Sequence, residues 1–183
     1  MPERPSGAAD DPGDRPGTGR QPDPDQDAAL IREAVSGMDS LSAERRRFLA
    51  GYAYVLARVA RADGVMNESE VAVIEQAVIE AGDLQRAQGA LVSALASSVH
   101  SLFGATEDYA FTREVARVSS PQQLQRLLRA CVTVGVADGR LSAAERTELY
   151  EIGRELGVAS EEVDAIRDQI DVDARRTPEK PVE

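Results

Sequence analysis

What this chain can fold into is constrained most by a motif that occurs twice. Residues 62–70 read Ala-Asp-Gly-Val-Met-Asn-Glu-Ser-Glu, and residues 137–145 read Ala-Asp-Gly-Arg-Leu-Ser-Ala-Ala-Glu. Both conform to A-D-G-x-[ML]-[NS]-x-x-E, and laying residues 57–82 on 132–157 also matches Val59 with Val134, Glu80 with Glu155 and Gly82 with Gly157. Each copy joins two amphipathic helical patterns, so the sequence describes a diverged helical duplication. Its copies place Asp63 with Glu70, and Asp138 with Glu145, at equivalent corners. Paired acids of this kind point to a cation site before a reactive centre.

The remaining periodicity extends the helices outward. A first helix is expected from about Asp25 to Val35, with Leu30, Ile31, Ala34 and Val35 on one side and Gly37 ending it; it is short enough to serve as a lid. A second follows Ser42 and carries Phe48, Leu49, Tyr52, Val55, Leu56 and Val59 as one apolar stripe up to Asp63-Gly64. Asn67 caps a third that uses Val71, Ile74 and Val78 and stops at Gly82. A fourth runs from Leu84 through Leu91, Leu95 and Val99 to Leu102, and its most apolar stretch, residues 89–104, reads as a central bundle helix. Thr106 is expected to cap a fifth, with Tyr109 and Val115 inward. Ser120-Pro121 opens a sixth, with proline at the first helical position where its missing N–H costs nothing, running to Asp138-Gly139. Ser142 caps a seventh ended by Gly157, and Ser160 an eighth. No stretch alternates as a buried strand would. The expected fold is all-α, a single compact bundle of seven or eight helices with an internal helix-pair duplication.

Composition sets the limits of the domain. Residues 1–27 contain no Val, Ile, Leu, Phe, Tyr or Trp but six of the nine prolines, so they are expected to remain a disordered tail. Residues 173–183 read as a second tail, leaving a helical domain over 28–172. The net charge is −11, a field that repels phosphate backbones and anionic membranes, so no nucleic-acid partner is expected. Arg45-Arg46-Arg47 is the one basic cluster, and on a helix it fans into a solvated face. The apolar stretch at 89–104 is too short and too rich in serine to insert in a bilayer. With no secretory signal pattern, cytoplasmic localisation is the expectation. The single cysteine, Cys131, shares an apolar face with Leu124, Leu127 and Val134 and reads as a buried structural thiol.

Two accounts of the acidic corners compete. In the first, Asn67-x-x-Glu70 and Ser142-x-x-Glu145 are capping boxes, each glutamate reaching back to its own cap N–H, with Met66 and Leu141 as hydrophobic staples. In the second they bind a cation. Asp63 and Asp138 fall at helix C-termini, where the macrodipole disfavours an anion by about 0.3–1 kcal/mol, and a cation would remove that penalty. Aligned to a calcium-binding EF-hand loop with Gly64 at the sixth position, Asp63, Asn67 and Glu70 fall at the fifth, ninth and twelfth. The front half fails, since Val59 and Arg61 occupy the first and third positions, as Val134 and Val136 do in the other copy. Any site is therefore weak or shared between the repeats, and oxygen-only ligands select Ca²⁺, Mg²⁺ or Mn²⁺.

The doubled A-D-G-x-[ML]-[NS]-x-x-E within an acidic, Ala-rich helical chain resembles the TerB-like tellurite-resistance domains, which also form the N-terminal domain of membrane-anchored J-domain co-chaperones. The resemblance covers about residues 43–170. It implies a compact helical bacterial cytoplasmic domain whose repeats place acidic residues on a shared surface for a divalent metal. Carried over by position, these are Asp63, Glu70, Asp138 and Glu145, with Glu68 as an accessory because its counterpart is Ala143. No J-domain signature or membrane anchor is seen, so the co-chaperone role does not carry over.

Catalysis is poorly supported, a carboxylate-dependent hydrolase being the one enzymatic alternative. One His and one Cys cannot build a zinc site of nitrogen and sulfur ligands. A carboxylate di-iron bundle needs Glu-x-x-His, and Ser97 stands at that spacing before His100. The expected function is thus non-enzymatic: a divalent-cation-binding accessory or scaffold protein in tellurite resistance or envelope stress, acting through a protein partner that the sequence does not name. The alternative is a metal-independent helical interaction module whose acidic motifs are caps. Oligomeric state is not legible.

Overall fold

The structure, a computed structural model, describes residues 35–176 apart from 65, 103, 104 and 140. The expected helix at 25–35 and the tail at 1–27 lie outside the described residues, except for Val35. Among the described residues there are seven helices and no strand: α1 (Ala43–Ala60), α2 (Glu68–Gly82), α3 (Arg86–Leu102), α4 (Ala105–Val118), α5 (Pro121–Gly135), α6 (Ala143–Leu156) and α7 (Ser160–Arg176). A short helical segment, 35–39, precedes them.

Local chemistry sets most of the boundaries. Ser42, Asn67, Ser120 and Ser142 all cap as expected, each accepting from the N–H three residues on. Gly157 ends α6 in the left-handed region at φ 78°. Several boundaries differ. The segment 35–39 stays helical two residues past Gly37. Thr106 and Ser160 lie inside their helices, because α4 starts at Ala105 and α7 at Ser160 itself. The left-handed residue after α2 is Asp83, at φ 47°, since Gly82 is still helical, at a place where a Cβ would crowd Leu49 and Leu84. The last helix runs on to Arg176, past the boundary expected near 172.

The central helix is α1, which corrects the expectation that residues 89–104 hold that place. Every residue from Gly51 to Ala60 is buried, and α1 packs against α2, α3, α4, α5 and α6. A single stripe is therefore too narrow a description, because a helix in the middle of a bundle must be compatible with neighbours all round. Small residues make this possible: a Cβ added at Gly51 would stand 2.3 Å from Val115 Cγ2 of α4.

Helix α3 buries Gly89, Val92, Ser93 and Ala96 and leaves Leu95 57% exposed. Close approach chose this face, for a Cβ at Gly89 would meet Ile79 Cγ1 at 2.3 Å. Similarly Tyr109 lies outward on α4 while Val115 is buried.

The duplication is larger than one helix pair. The shift that lays residue 57 on 132 turns α1 into α5, α2 into α6 and α3 into α7. The two halves meet along α1 and α5, where Val59 and Val134 are both fully buried.

Candidate functional site

The two corners have the same backbone. After α1 the Gly64 N–H donates to the Arg61 carbonyl at 2.9 Å, and after α5 the Gly139 N–H donates to the Val136 carbonyl at 2.9 Å. Gly64 and Gly139 have φ of 91° and 100°, a region that L side chains strongly resist, which explains glycine in both motifs. Asp63 and Asp138 are exposed on these turns, two residues beyond the C-caps Arg61 and Val136.

Both capping boxes are complete. The Asn67 N–H donates to Glu70 Oε2 at 2.6 Å and the Glu70 N–H to Asn67 Oδ1 at 3.0 Å. In the second repeat the Ser142 N–H donates to Glu145 Oε2 at 2.7 Å and the Glu145 N–H to Ser142 Oγ at 3.1 Å. A third box opens α5, where Gln123 takes the glutamate's place and accepts from the Ser120 N–H at 2.8 Å.

The duplication then adds what a lone cap would lack. Glu70 and Glu145 are each only 3% exposed, and their carboxyl groups lie near enough to influence one another between the repeats. Burial raises the Glu70 carboxyl from its usual 4.5 to about 7, the neighbouring Glu145 carboxyl and the Asp63 charge push the same way, and the Asn67 backbone N–H opposes them. Near neutral pH the Glu70 carboxyl therefore keeps its proton for much of the time.

Of the five acidic residues singled out, the structure brings Glu70 and Glu145 together in the buried junction, with the Asp63 charge felt there. Asp138 is exposed on its own turn, and Glu68 is exposed in the first turn of α2. Among the described residues no group of three or more His, Cys, Asp or Glu side chains is arranged to hold a metal ion. Carboxylate oxygens are of the type that suits a hard cation.

One polar centre escaped sequence reasoning. Arg58, buried on α1, donates from Nε to Glu148 Oε1 at 2.8 Å and from Nη1 to Glu155 Oε2 at 2.7 Å and Thr112 Oγ1 at 2.6 Å. It also reaches the Asp108 carbonyl at 3.3 Å, while the Tyr54 hydroxyl donates to Asp108 Oδ1 at 2.7 Å. Burial works against the Arg58 charge, but Glu155 and Glu148 outweigh it and raise its pKa. The network fastens α4 and α6 to α1. An arginine between Leu56 and Val59 within an apolar stripe was the available signal.

The arginine run is also more than a solvated face. Arg45 Nη2 donates to the Gly82 carbonyl at 2.8 Å, and Arg46 Nη1 to the Met38 and Asp39 carbonyls at 3.3 Å. Cys131 is fully buried, with its thiol pushed up to about 12 by burial. No helix among the described residues is long and apolar enough to cross a membrane.

Fold and junction together define a class: an all-helical domain built by duplication, with one acidic motif per half and the two motif glutamates paired between them. The sequence model of the family described as "Tellurite resistance protein TerB" matches residues 50–168, and the chain belongs to that family. Neither the comparison with curated proteins nor that with solved structures returned a match.

Proposed function

We propose that this protein is a non-enzymatic accessory domain that takes up a divalent cation, Ca²⁺, Mg²⁺ or Mn²⁺, where its two repeats meet. The cation-bound surface then engages a protein partner in tellurite resistance or an envelope-stress response, in the cytoplasm of a bacterium. The observation that carries this reading is the Glu70–Glu145 pair: two carboxyls in a buried junction repel when both are ionised, and a proton or a hard cation relieves that repulsion. Glu70 and Glu145 would each contribute an oxygen, with Asp63 and Asp138 recruited from the turns and Glu68 nearby as an accessory. Two fixed donors make the affinity modest.

Calorimetric titration of each cation at pH 8 tests this, using wild type, an Asp63→Ala/Asp138→Ala variant and a Glu70→Gln/Glu145→Gln variant that keeps the caps. Saturable binding and a raised Tm in wild type, lost in both variants, is the expected result. Absence of saturable binding to wild type would retire the site. The complete capping boxes favour a second reading in that event, a metal-independent helical interaction module.

A further inference from the structure

Helix α4 lies outside the two repeated triplets. The shift that lays α1, α2 and α3 on α5, α6 and α7 leaves it as the connector between them, and it packs on α1 and α6. Helix α6 does not depend on α4 for its place, because it also packs directly on α1, α5 and α7.

Little apolar surface holds α4 down. From Asp108 to Val118 only Thr112 and Val115 are buried, while Tyr109 and Phe111 are 52% and 37% exposed. Phe111 leans on the Tyr54 ring, with centroids 4.4 Å apart, and Val115 fits against Gly51. The rest of the hold is polar and gathers at Arg58. Its Nη1 donates to Thr112 Oγ1 and to the Asp108 carbonyl, and the Tyr54 hydroxyl donates to Asp108 Oδ1.

This clasp can let go without stranding a charge. When α4 leaves, Arg58 keeps Glu148 and Glu155, both from α6, and so escapes the penalty of a buried, unpaired ion. The Thr112 hydroxyl keeps its own bond to the Asp108 carbonyl, at 3.0 Å inside α4. The Asp108 carboxylate, 3.9 Å from Arg58 Nε, passes to water. It is the third carboxylate around that guanidinium, and its departure lessens repulsion from Glu148 and Glu155.

We propose that α4 is a strap: it leaves α1 and α6 as a unit while α1–α3 and α5–α7 stay folded, and the Arg58 clasp governs how often it does so. Release uncovers Gly51, Tyr54 and Arg58, the repeat counterparts of Arg126, Arg129 and Thr133. Those three line a groove of about 690 Å³ between α2 and α5, open among the described residues. Lifting α4 therefore creates in one half of the domain the kind of recess that the other half presents.

This inference is independent of cation binding, and amide hydrogen exchange in the full chain tests it. A free helix of 14 residues is marginal in water, so α4 amides exchange whenever the helix has left the bundle. In wild type the amides of residues 112–118 should exchange at least about tenfold faster than those of residues 52–59, with a weaker dependence on urea. Thr112→Val, which removes an Arg58 acceptor, should speed the α4 amides about tenfold further. Val78→Ala, in the core of α2, weakens the bundle instead of the clasp. It should speed the amides of residues 52–59 about tenfold and leave those of 112–118 unchanged.

Equal rates and urea slopes for the two sets in wild type overturn the proposal, because α4 then leaves only when the whole domain unfolds. So does an equal acceleration of both sets by Val78→Ala. Insensitivity of the α4 amides to Thr112→Val overturns it as well, since the helix then frays without reference to Arg58. The wild-type slopes keep the proposal open to refutation even if a variant fails to fold.

Discussion

Replacing Glu70 by Gln should stabilise this protein above neutral pH, although Glu70 is buried and closes a capping box. Glutamine preserves the cap, as Gln123 does at the start of α5. Its carbonyl can accept from the Asn67 N–H, and its NH₂ can donate to a neighbouring carboxylate such as Glu145. What is lost is the ionised form. In the folded chain the Glu70 carboxyl is raised from 4.5 to about 7, so the native state holds its proton more tightly than the unfolded chain. Below about 4.5 both states are protonated and no penalty exists. As pH rises to 7 the penalty grows, and above 7 it is fully present.

The upper bound on that penalty is about 3 kcal/mol, from about 1.4 kcal/mol per pKa step. Solvent screening at the edge of the junction reduces it to about 1–2 kcal/mol. Urea unfolding of wild type and Glu70→Gln at pH 5, 6, 7 and 8 measures it directly. The stability difference should grow in favour of the variant by about 1–2 kcal/mol between pH 5 and pH 8, or roughly 3–8 °C in Tm. Groups that the substitution leaves unchanged are common to both proteins and drop out of the difference. A difference that stays flat, or that favours wild type more as pH rises, would refute a Glu70 carboxyl raised by burial.

Three further outcomes follow from the packing. Arg58→Met leaves Glu148, Glu155 and Asp108 without their buried donor and should cost about 3–5 kcal/mol in urea unfolding. Cys131, fully buried with its thiol raised to about 12, should resist an alkylating reagent at pH 8 in the native protein and react at once in denaturant. Gly139→Ala meets no atom within 4 Å but sits at φ 100°, so its cost is conformational alone, about 1 kcal/mol by thermal melting.

The sequence was readable where a signal is local. Ser42, Asn67, Ser120 and Ser142 each announce a helix start through their own side chain, and the A-D-G motif fixes a turn that only glycine enters easily. What could not be read depends on which helices become neighbours. Leu95 looks like core and is exposed, because the glycine and alanine face of α3 lets it approach α2 more closely than a leucine face would. Arg58 looks misplaced in an apolar stripe until Glu148 and Glu155 arrive from ninety or more residues later. The acidic corners were legible as residues and as capping boxes. That their glutamates face one another required knowing how the halves of the duplication meet.

Duplication makes that meeting hard to avoid. In a domain whose halves are related by approximate symmetry, a residue near the axis faces its own copy, so an acid placed there becomes a pair of acids. Capping does not require this, since Ser120 and Gln123 close an equivalent box with a neutral side chain. Helix capping is met by Gln as well as by Glu, so the acid at both Glu70 and Glu145 is the feature that the proposed cation site would explain. Single substitutions separate the two roles. Glu70→Gln and Glu145→Gln should each leave helix content and cooperative unfolding intact while removing any cation-dependent rise in Tm, because each keeps its cap and halves the fixed donor set. A cation response that survives in both would show that the junction is not where the charge acts, and would return the glutamates to capping alone.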